Sequence, residues 1–349
     1  MIEYFGRKFL QKLPAEIAHD LSIQILASPA ASLVSSRLIH NPVELFGVTF
    51  PNPVGLAAGF DKNADAVTGL AQLGFGFIEV GTVTPKPQVG NPKPRLFRLP
   101  ANQAIINRMG FNNKGVDYLV ARLEKYKPKI IIGINIGKNK TTPNKSATDD
   151  YVHCFKKVQH LADYITINIS SPNTEDLRQL QETDHLVNLL SNLKELQLDY
   201  AKNTNKYTPI VVKIAPDQDD EATITIAKTI KNTKMDGIIC TNTTINKNNL
   251  KKETYQYETG GISGKPLLSR SNQIIRLVRK TVGAKFPIIG VGGILTDADA
   301  MSKMSAGAEL IQIYTGLIYQ GSQLIANINK KLNKENQIKK TGYESRRKL

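Results

Sequence analysis

Small polar side chains follow the apolar run YITINIS at residues 164–170, at the point where a buried strand would end. Three isoleucines at alternate positions are typical of a strand in a dry interior, yet the chain continues as SPNT at 171–174. Serine and asparagine side chains both donate and accept hydrogen bonds. We interpret the cluster as the working end of a barrel, with Ser171 as a candidate general base. Taken alone, Ser171 would more readily be interpreted as a turn or capping serine before Pro172.

Similar residues follow the other apolar runs of the chain. The candidates at these ends are Asp61, Lys62, Thr82, Asn135, Asn168, Ser171, Lys213, Thr241, Asn242, Gly292, Gly293, Tyr314 and Thr315. This set has two lysines, many neutral amides and hydroxyls, few carboxylates and no histidine. It argues against a Ser-His-Asp triad, a histidine-based metal site and a paired-carboxylate hydrolase. It favours a planar, electron-accepting ligand, beside which a buried lysine stabilises negative charge.

Two glycine-rich stretches are candidates for holding a phosphate. ETGGISGKP at 258–266 and GVGG at 290–293 would let backbone N–H groups approach a phosphate closely. The first is not a P-loop, because Pro266 stands where a serine or threonine would hold magnesium. Ordinary tight turns are the alternative for both.

Eight short apolar runs, rich in β-branched residues, recur between these candidates. They are VGLAAGF (54–60), GFIEVGT (76–82), IIIGINIG (130–137), YITINIS (164–170), PIVVKIA (209–215), GIICTNT (237–243), PIIGVGGI (287–294) and LIQIYTG (310–316). Runs that are apolar on both faces suit a covered parallel sheet, and helix-like segments such as 183–202 and 219–233 lie between them. The alternation predicts a (β/α)8 TIM barrel. A doubly wound open sheet is the competing topology, but polar residues at the C-terminal strand ends favour the barrel.

Three segments are predicted to lie outside the barrel strands. Residues 43–53 and 95–107 have the Gly/Pro punctuation of hairpins or extended segments. Residues 1–40 are predicted as a separate amphipathic helical segment, with apolar residues at helical spacing on both sides of Pro14. Such a pair of helices either lies on a membrane surface or caps the bottom of the barrel.

The bulk properties narrow the class of protein. The chain has 349 residues, 41% of them hydrophobic, and a net charge of +16. A sizeable core is therefore possible, and nucleic acid, a membrane surface or an anionic substrate would each suit the charge. Cys154 and Cys240 have no metal-type spacing, so we expect neither a disulfide scaffold nor a metal site. We expect neither a signal peptide nor a membrane-spanning helix, because the N-terminus lacks a long apolar core with a small-residue cleavage site and no apolar run approaches ~20 residues. Residues 329–349 are predicted as a flexible basic tail that aids solubility or contacts a membrane.

The ordered motifs closely resemble those of the dihydroorotate dehydrogenase family. They are AAGFDKN (57–63), EVGTVTP (79–85), NPKPRLFRLP (91–100), INRMGFNN (106–113), GINIGKNK (133–140), NISSPNT (168–174), VKIAP (212–216), TNTT (241–244), GGISGKPL (260–267), IIGVGGI (288–294) and QIYTG (312–316). They cover residues 43 to 320 in the family's order. The N-terminal segment, and serine rather than cysteine at position 171, resemble the quinone-dependent, membrane-associated class.

The resemblance implies an activity and the residues that perform it. Dihydroorotate would be oxidised to orotate, the redox step of de novo pyrimidine synthesis, with FMN as the bound cofactor and a membrane quinone as the acceptor. Ser171 would remove the C5 proton while a hydride leaves C6 for flavin N5. A serine is a poor base without help, so the proton would leave through water or a hydroxyl such as that of Thr174.

By the same resemblance, three groups of contacts are expected. The substrate contacts would be Lys62, Asn107, Arg108, Met109, Gly110, Phe111, Asn168, Asn173, Asn242 and Thr243. The FMN contacts would be Ala58, Gly59, Phe60, Asp61, Lys62, Thr82, Asn135, Asn168, Lys213, Thr241, Gly264, Gly293, Tyr314 and Thr315. Lys213 would stabilise the reduced flavin ring, and the last four would hold the phosphate. The quinone path would include His19 and Arg98.

The resemblance also implies an organisation for the whole chain. Residues 1–40 would give the quinone access from a lipid surface, residues 41–328 would form the FMN-binding barrel, and 329–349 the basic tail. The protein is expected to be a monomer on the cytoplasmic side of the cell membrane and to bind no nucleic acid. Three rivals stay open: an RNA-modifying flavin barrel with a cysteine acid, the soluble class of the same enzyme with cysteine at 171, and a non-catalytic phosphate-binding barrel.

Overall fold

The chain begins with helices that precede the barrel. The computed structural model describes residues 2–173, 177–248 and 250–346. Thr174, the candidate for the proton route, lies outside the described residues. The first elements are α1 (Ile2–Leu10), α2 (Ala15–Leu26), a 3-10 turn (Pro29–Val34) and an antiparallel hairpin of β1 (Val43–Leu45) and β2 (Val48–Phe50). The predicted N-terminal helical pair is therefore confirmed.

Eight parallel strands form a closed barrel in the order β10-β12-β13-β3-β4-β7-β8-β9. Their bounds are β3 (Val54–Leu56), β4 (Phe77–Val83), β7 (Ile131–Ile136), β8 (Tyr164–Asn168), β9 (Ile210–Ile214), β10 (Gly237–Cys240), β12 (Ile288–Val291) and β13 (Leu310–Ile313). Seven of them lie within a predicted run, and β4 extends one residue beyond the run predicted at 76–82. Because β13 pairs with β3 and β10 pairs with both β9 and β12, the sheet has no free edge. The predicted barrel is confirmed and the open sheet is excluded.

A second, three-stranded antiparallel sheet stands beside the barrel. It consists of β5 (Leu96–Leu99), β6 (Ala104–Asn107) and β11 (Gly261–Gly264), in the order β11-β6-β5. The predicted hairpin at 95–107 thus recruits a strand from the glycine-rich stretch more than 150 residues later. The remaining helices are α3 (Val67–Ala71), α4 (Val116–Tyr126), α5 (Ala147–Val158), α6 (Thr183–Thr204), α7 (Asp220–Asn232), α8 (Leu268–Val282), α9 (Asp297–Ser305), α10 (Thr315–Gln320) and α11 (Gln323–Arg346).

Aromatic side chains fill the N-terminal end of the barrel. Phe77 and Tyr164 begin β4 and β8 and pack together in the inner core. A Cβ atom added at Gly55 would lie 2.3 Å from the Phe77 ring, and one at Gly133 would lie 2.2 Å from the Tyr164 ring, so glycine makes room for both rings. The β1–β2 hairpin covers this end, with the Phe50 and Phe77 ring centroids 5.1 Å apart. The interior of the barrel is therefore filled by side chains at this end.

Alternation along the strands places polar side chains inside the barrel. In β8, Ile165 and Ile167 pack in the outer core against helices, so Thr166 and Asn168 face inward. The β8–β9 register puts Asn168 beside Lys213. Every residue of both strands is buried. The polar groups at the strand ends are therefore held in a dry, rigid setting.

The N-terminal helices lie on the side of the three-stranded sheet rather than under the barrel. Helix α2 contacts β5 and α3. The Glu16 carboxylate accepts hydrogen bonds from the Arg95 guanidinium, with a shortest distance of 2.8 Å. Arg98 of β5 donates to the carbonyl of Leu10 at 3.0 Å. The interpretation of the helices as a cap on the barrel bottom is wrong, because the β1–β2 hairpin occupies that position. No helix among the described residues is long and apolar enough to cross a bilayer.

The C-terminal helix extends into the segment predicted as a flexible tail. Helix α11 begins at Gln323 and continues to Arg346. Asn329 and Leu332 are buried, and the Asn333 side chain donates to the carbonyl of His40 at 3.2 Å. The boundary predicted at residue 328 therefore falls inside a helix whose first turns pack on the rest of the protein.

Candidate active site

A cavity opens at the C-terminal ends of the barrel strands. The predicted residues that line it are Ala58, Gly59, Lys62, Thr82, Asn107, Met109, Gly110, Phe111, Asn168, Ser171, Asn173, Lys213, Thr241, Asn242, Thr243, Gly264, Gly293, Tyr314 and Thr315. The barrel topology thus brings together side chains that are up to 257 residues apart in sequence, from Ala58 to Thr315. The sheet of β5, β6 and β11 forms one wall through Leu96, Ile105 and Ser263.

A layer of hydrogen-bonded amides and hydroxyls forms the floor of the cavity. Asn168 donates to the Thr82 hydroxyl at 2.9 Å and to the Asn135 carbonyl oxygen at 3.2 Å, and Thr82 donates to that same oxygen at 2.5 Å. Asn242 donates to the Ser170 hydroxyl at 3.0 Å. These side chains fix one another, so the floor is preorganised for a planar polar ligand.

Ser171 is buried in the loop after β8, and one backbone N–H donates to its hydroxyl. Its Oγ accepts a hydrogen bond from the Asn173 N–H at 3.2 Å. The Asn173 amide donates to Asn107 at 3.1 Å, and its carbonyl accepts from Asn91 at 3.2 Å. Within residues 2–173, 177–248 and 250–346, no carboxylate or histidine contacts the Ser171 hydroxyl. The loop is therefore held from both sides while the hydroxyl stays available to a ligand.

The two lysines of the cavity are both desolvated. Burial lowers the pKa of Lys213, and the Glu79 carboxylate partly opposes this shift. For Lys62, burial and then the positive charge of Arg95 lower the pKa to about 8, against the opposing charges of Glu16, Asp20 and Asp61. Neither ammonium has a hydrogen-bond or ion-pair partner in the described part of the chain. Both can therefore serve an anionic or electron-rich ligand.

Glycines form the end of the cavity next to helix α8. Gly264 and Gly293 have φ angles of +98° and +81°, which favour glycine, and a Cβ at Gly293 would lie 2.5 Å from the backbone of Leu268. Next to them, the Thr315 hydroxyl donates to or accepts from Ser263 at 2.8 Å. This end is a backbone-lined cradle suited to a phosphate.

Three residues that line the cavity carry a buried oxygen without a partner among the described residues. The buried oxygens Thr241 Oγ1, Thr243 Oγ1 and Gln312 Oε1 accept or donate no hydrogen bond within the described residues. Buried polar groups are normally satisfied, so such a cluster marks a surface that a ligand completes. The residues present therefore fit a large planar group that carries carbonyls, ring nitrogens and a phosphate.

Four of the predicted contacts do not line this cavity. Arg108 points away, because its guanidinium bonds the Glu258 carboxylate at 2.6 Å. The Asp61 carboxylate instead accepts from three backbone N–H groups of its own turn. Phe60 lines a second cavity under α1 and α2. Asn135 lies one layer beneath the floor.

A second, mostly apolar cavity lies under α1 and α2. It contains His19 and Arg98, as predicted, together with Phe60. The His19 ring packs edge-on against Phe60 at 5.3 Å, and burial, followed by the charge of Lys62, lowers the pKa of His19 to about 3. Leu96, Ile105 and Tyr314 line both cavities, so one shared wall separates them.

Two residues of the quoted motifs EVGTVTP and QIYTG belong to the site although the sequence did not predict them there. Gln312 lines the cavity and Glu79 lies directly beneath it. A signal did exist for Glu79, since it is a charged residue inside a strand that is otherwise apolar on both faces. Arg178, in the segment after the Ser171 loop, bonds that loop and could not be found from spacing.

The cysteine-based rival fails on position. Cys154 lies in α5 and Cys240 at the end of β10, and both thiols are buried on the helix side of the barrel. Neither lines the cavity, so neither can act as the acid of an RNA-modifying flavin enzyme.

Comparisons with known proteins agree on one family. The family model described as dihydroorotate dehydrogenase matches residues 41–335. The dihydroorotate dehydrogenase (quinone) of Chromobacterium violaceum is 51% identical over 323 residues, covering 91% of this chain and 94% of the relative. That of Saccharophagus degradans is 51% identical over 326 residues, covering 92% and 96%. A crystal structure of DHODH from Eimeria tenella in complex with ferulenol superposes with a TM-score of 0.87 and 40% identity, covering 93% of this chain and 92% of that chain.

Proposed function

Since the chain belongs to the dihydroorotate dehydrogenase family, it is an oxidoreductase that converts dihydroorotate to orotate in pyrimidine biosynthesis, and we propose that its two cavities divide this reaction between FMN and a quinone. The observation that carries the proposal is that Ser171, Lys213 and Asn242 line one cavity whose wall also borders the apolar cavity under α1 and α2.

FMN is the cofactor that best fits the first cavity. When bound, it accepts the hydride that leaves C6 of dihydroorotate. The floor of Thr82, Asn168 and Thr241 would hold the polar edge of its ring, and the Lys213 ammonium would offset negative charge there. The cradle around Gly264 and Gly293 would hold its phosphate through backbone N–H groups.

Dihydroorotate is an anion with an amide-like ring, and the chain offers matching groups. Lys62 would bind its carboxylate, and the nearby anion would raise the lysine pKa again and favour the charged form. Asn107, Asn173 and Asn242 would pair with the ring N–H and C=O edges. The substrate would thereby be fixed in the plane set by the cavity floor.

Ser171 would remove the C5 proton, and the proton of its own hydroxyl would pass to a bound water or a neighbouring hydroxyl. The Asn173 N–H that donates to its Oγ favours the negatively charged form of the hydroxyl, because a hydrogen bond to the charged form lowers the cost of ionisation. Burial of the loop excludes bulk water from the oxygen. The hydroxyl is thus held still, and its ionisation costs less free energy at the moment of proton transfer.

The second cavity would admit the quinone from a lipid surface. Ile2, Phe5 and Phe9 of α1 are 61%, 63% and 59% exposed, an arrangement that suits contact with acyl chains. We place the protein at the cytoplasmic face of the cell membrane, as a monomer, with α1 and α2 in contact with lipid. Neutral His19 and the guanidinium of Arg98 would face the quinone head group.

The test separates the two halves of the reaction. Anaerobic mixing with dihydroorotate should bleach the flavin of the wild type, whereas Ser171→Ala should keep FMN and be reduced at least about 100-fold more slowly. Re-oxidation of the reduced Ser171→Ala protein by quinone should match the wild type. Ser171→Cys should retain part of the rate, because a thiolate can act as a base. Unchanged reduction of Ser171→Ala would remove Ser171 from the role of base.

The acceptor is tested in the same preparation. Steady-state turnover with dihydroorotate should be supported by quinone and not by fumarate or NAD, and deletion of residues 1–40 should abolish quinone turnover while leaving flavin reduction intact. Quinone turnover that survived this deletion would contradict the assignment of the second cavity.

A further inference from the structure

A carboxylate that has no cationic hydrogen-bond partner among the described residues lies inside the barrel, just below the cavity floor. Glu79 of β4 is fully buried and does not line the cavity. Both of its oxygens accept hydrogen bonds: from Asn135 Nδ2 at 2.8 Å on one side, and from Tyr164 at 3.0 Å and Gln312 Nε2 at 2.7 Å on the other. A buried charge is costly unless such donors satisfy it, so its position calls for a reason.

The bonds above Glu79 all run in one direction. The Asn135 side-chain N–H donates to the Glu79 carboxylate below it. The Asn135 side-chain oxygen therefore faces the cavity side, where it accepts from the Asn168 amide at 3.2 Å. Asn168 therefore turns its oxygen upward too, where it accepts from the Ser170 N–H at 3.3 Å. Both ends of this chain have fixed polarity, since a carboxylate only accepts and a peptide N–H only donates.

Glu79 also orients Gln312. Because the Gln312 amide donates to Glu79, its Oε1 faces elsewhere and is one of the buried oxygens without a partner in the described residues. Gln312 lines the cavity, so the carboxylate decides that an acceptor rather than a donor is available at this position. Asn168, Thr82 and Gln312 thus all take their orientation from one residue.

We propose that Glu79 is a positioning residue that sets the donor and acceptor pattern of the cavity floor, and thereby its affinity for FMN. The inference rests on the FMN site proposed above. Replacing Glu79 by glutamine keeps its shape but gives one end an NH2 group. That group would meet the amide of either Asn135 or Gln312 donor to donor, so one of them must turn over or lose its partner.

A second substitution can restore the direction of every bond. With Asn135→Asp added to Glu79→Gln, the glutamine NH2 donates to the new carboxylate, whose other oxygen accepts from Thr82 and Asn168. The glutamine oxygen still accepts from Tyr164 and Gln312. Tyr164→Phe serves as the control, because it removes one donor to Glu79 without reversing any amide.

The experiment measures the dissociation constant of FMN from its fluorescence quenching, with circular dichroism and melting of each apoprotein. Glu79→Gln should bind FMN at least about tenfold more weakly, as should Asn135→Asp alone, in which two carboxylates meet. The double variant should return to within about threefold of the wild type, and Tyr164→Phe should stay within that range.

The outcomes are distinct. FMN binding by Glu79→Gln equal to that of the wild type would overturn the inference. So would a double variant that folds but binds no better than Glu79→Gln, since the direction of the bonds would then not be the cause. A Glu79→Gln protein that fails to fold while the double variant folds and binds FMN would support it. Absence of FMN binding by the wild type itself would instead refute the proposed function.

Discussion

Arg178 should control how fast Ser171 acts, although it does not line the cavity. Its Nε donates to the carbonyl of Ser170 at 3.3 Å, which belongs to the peptide bond that carries Ser171. Its Nη2 donates to the carbonyl of Thr243 at 3.3 Å and pairs with Asp217 at 2.8 Å. The guanidinium therefore ties the loop after β8 to the loops after β9 and β10.

The expected size of the effect follows from these contacts. Hydrogen bonds to a charged group contribute about 1.5–3 kcal/mol each. Both carbonyl contacts are long, and the Arg178 and Asp217 side chains are 21% and 15% exposed, so the lower figure applies. A loss of about 1.5 kcal/mol in the restraint on Ser171 corresponds to roughly a tenfold loss in rate. If the loop that carries Ser171 also shifts, the loss in rate reaches about 100-fold.

The assay is anaerobic stopped-flow reduction by dihydroorotate, followed by re-oxidation with quinone. Arg178→Met should slow reduction about 10- to 100-fold and leave FMN content and re-oxidation unchanged. Arg279→Met is the matched control: that guanidinium also clamps carbonyls and a carboxylate, Glu309, but at the opposite end of the barrel. An equal loss of reduction in both variants, or equal losses in both half-reactions of Arg178→Met, would refute the argument.

Two further predictions concern stability and lipid contact. Lys303 is fully buried, donates to Ser271 and Asn272, and burial lowers its pKa to about 7. Between that pH and about 10.4 the unfolded chain holds a proton that the folded chain lacks. The unfolding free energy of the wild type should therefore rise with pH relative to that of Lys303→Met, by up to about 1.4 kcal/mol per pH unit. Urea titrations at several pH values measure this difference, and a difference that does not change with pH would contradict the prediction. Phe5→Ser and Phe9→Ser should each weaken co-sedimentation with vesicles about tenfold, because each removes an exposed apolar side chain from α1. The control Tyr126→Ser, on the exposed face of α4, should not weaken it. Equal binding by all three variants would exclude α1 as the lipid contact.

The barrel was predictable because its signals are local. Each strand is an apolar run bounded by glycine, proline or polar residues, and the helices at 183–204 and 220–232 carry their own periodicity. Closure of the sheet followed from the repeated βα alternation. The C-terminal helix was missed because residues after 328 are dominated by lysine and asparagine, and only tertiary packing of a few residues such as Leu332 holds its first turns in place.

The site was predictable in position but not in side-chain direction. The family motifs place Arg108 among the substrate contacts, yet Glu258, 150 residues later, draws its guanidinium away. Asp61 has a similar explanation, since its carboxylate is used to hold its own turn. Both outcomes depend on partners that no motif specifies. A motif fixes where a Cα lies, and the competition between partners decides where the side chain goes.

The sequence also does not predict which end of a side-chain amide donates and which accepts at the site. An asparagine presents a donor or an acceptor depending on its neighbours, so the sequence NISSPNT cannot say which edge of Asn168 faces a ligand. That choice is made by Glu79, reached through Asn135 on a third strand. A barrel allows this because its inward residues form layers that join distant parts of the chain, as Asn168 contacts Asn135, 33 residues away, and Thr82, 86 residues away. The hydrogen-bonding pattern of the cavity floor therefore depends on the Glu79 carboxylate in the layer below it, which lines no part of the cavity.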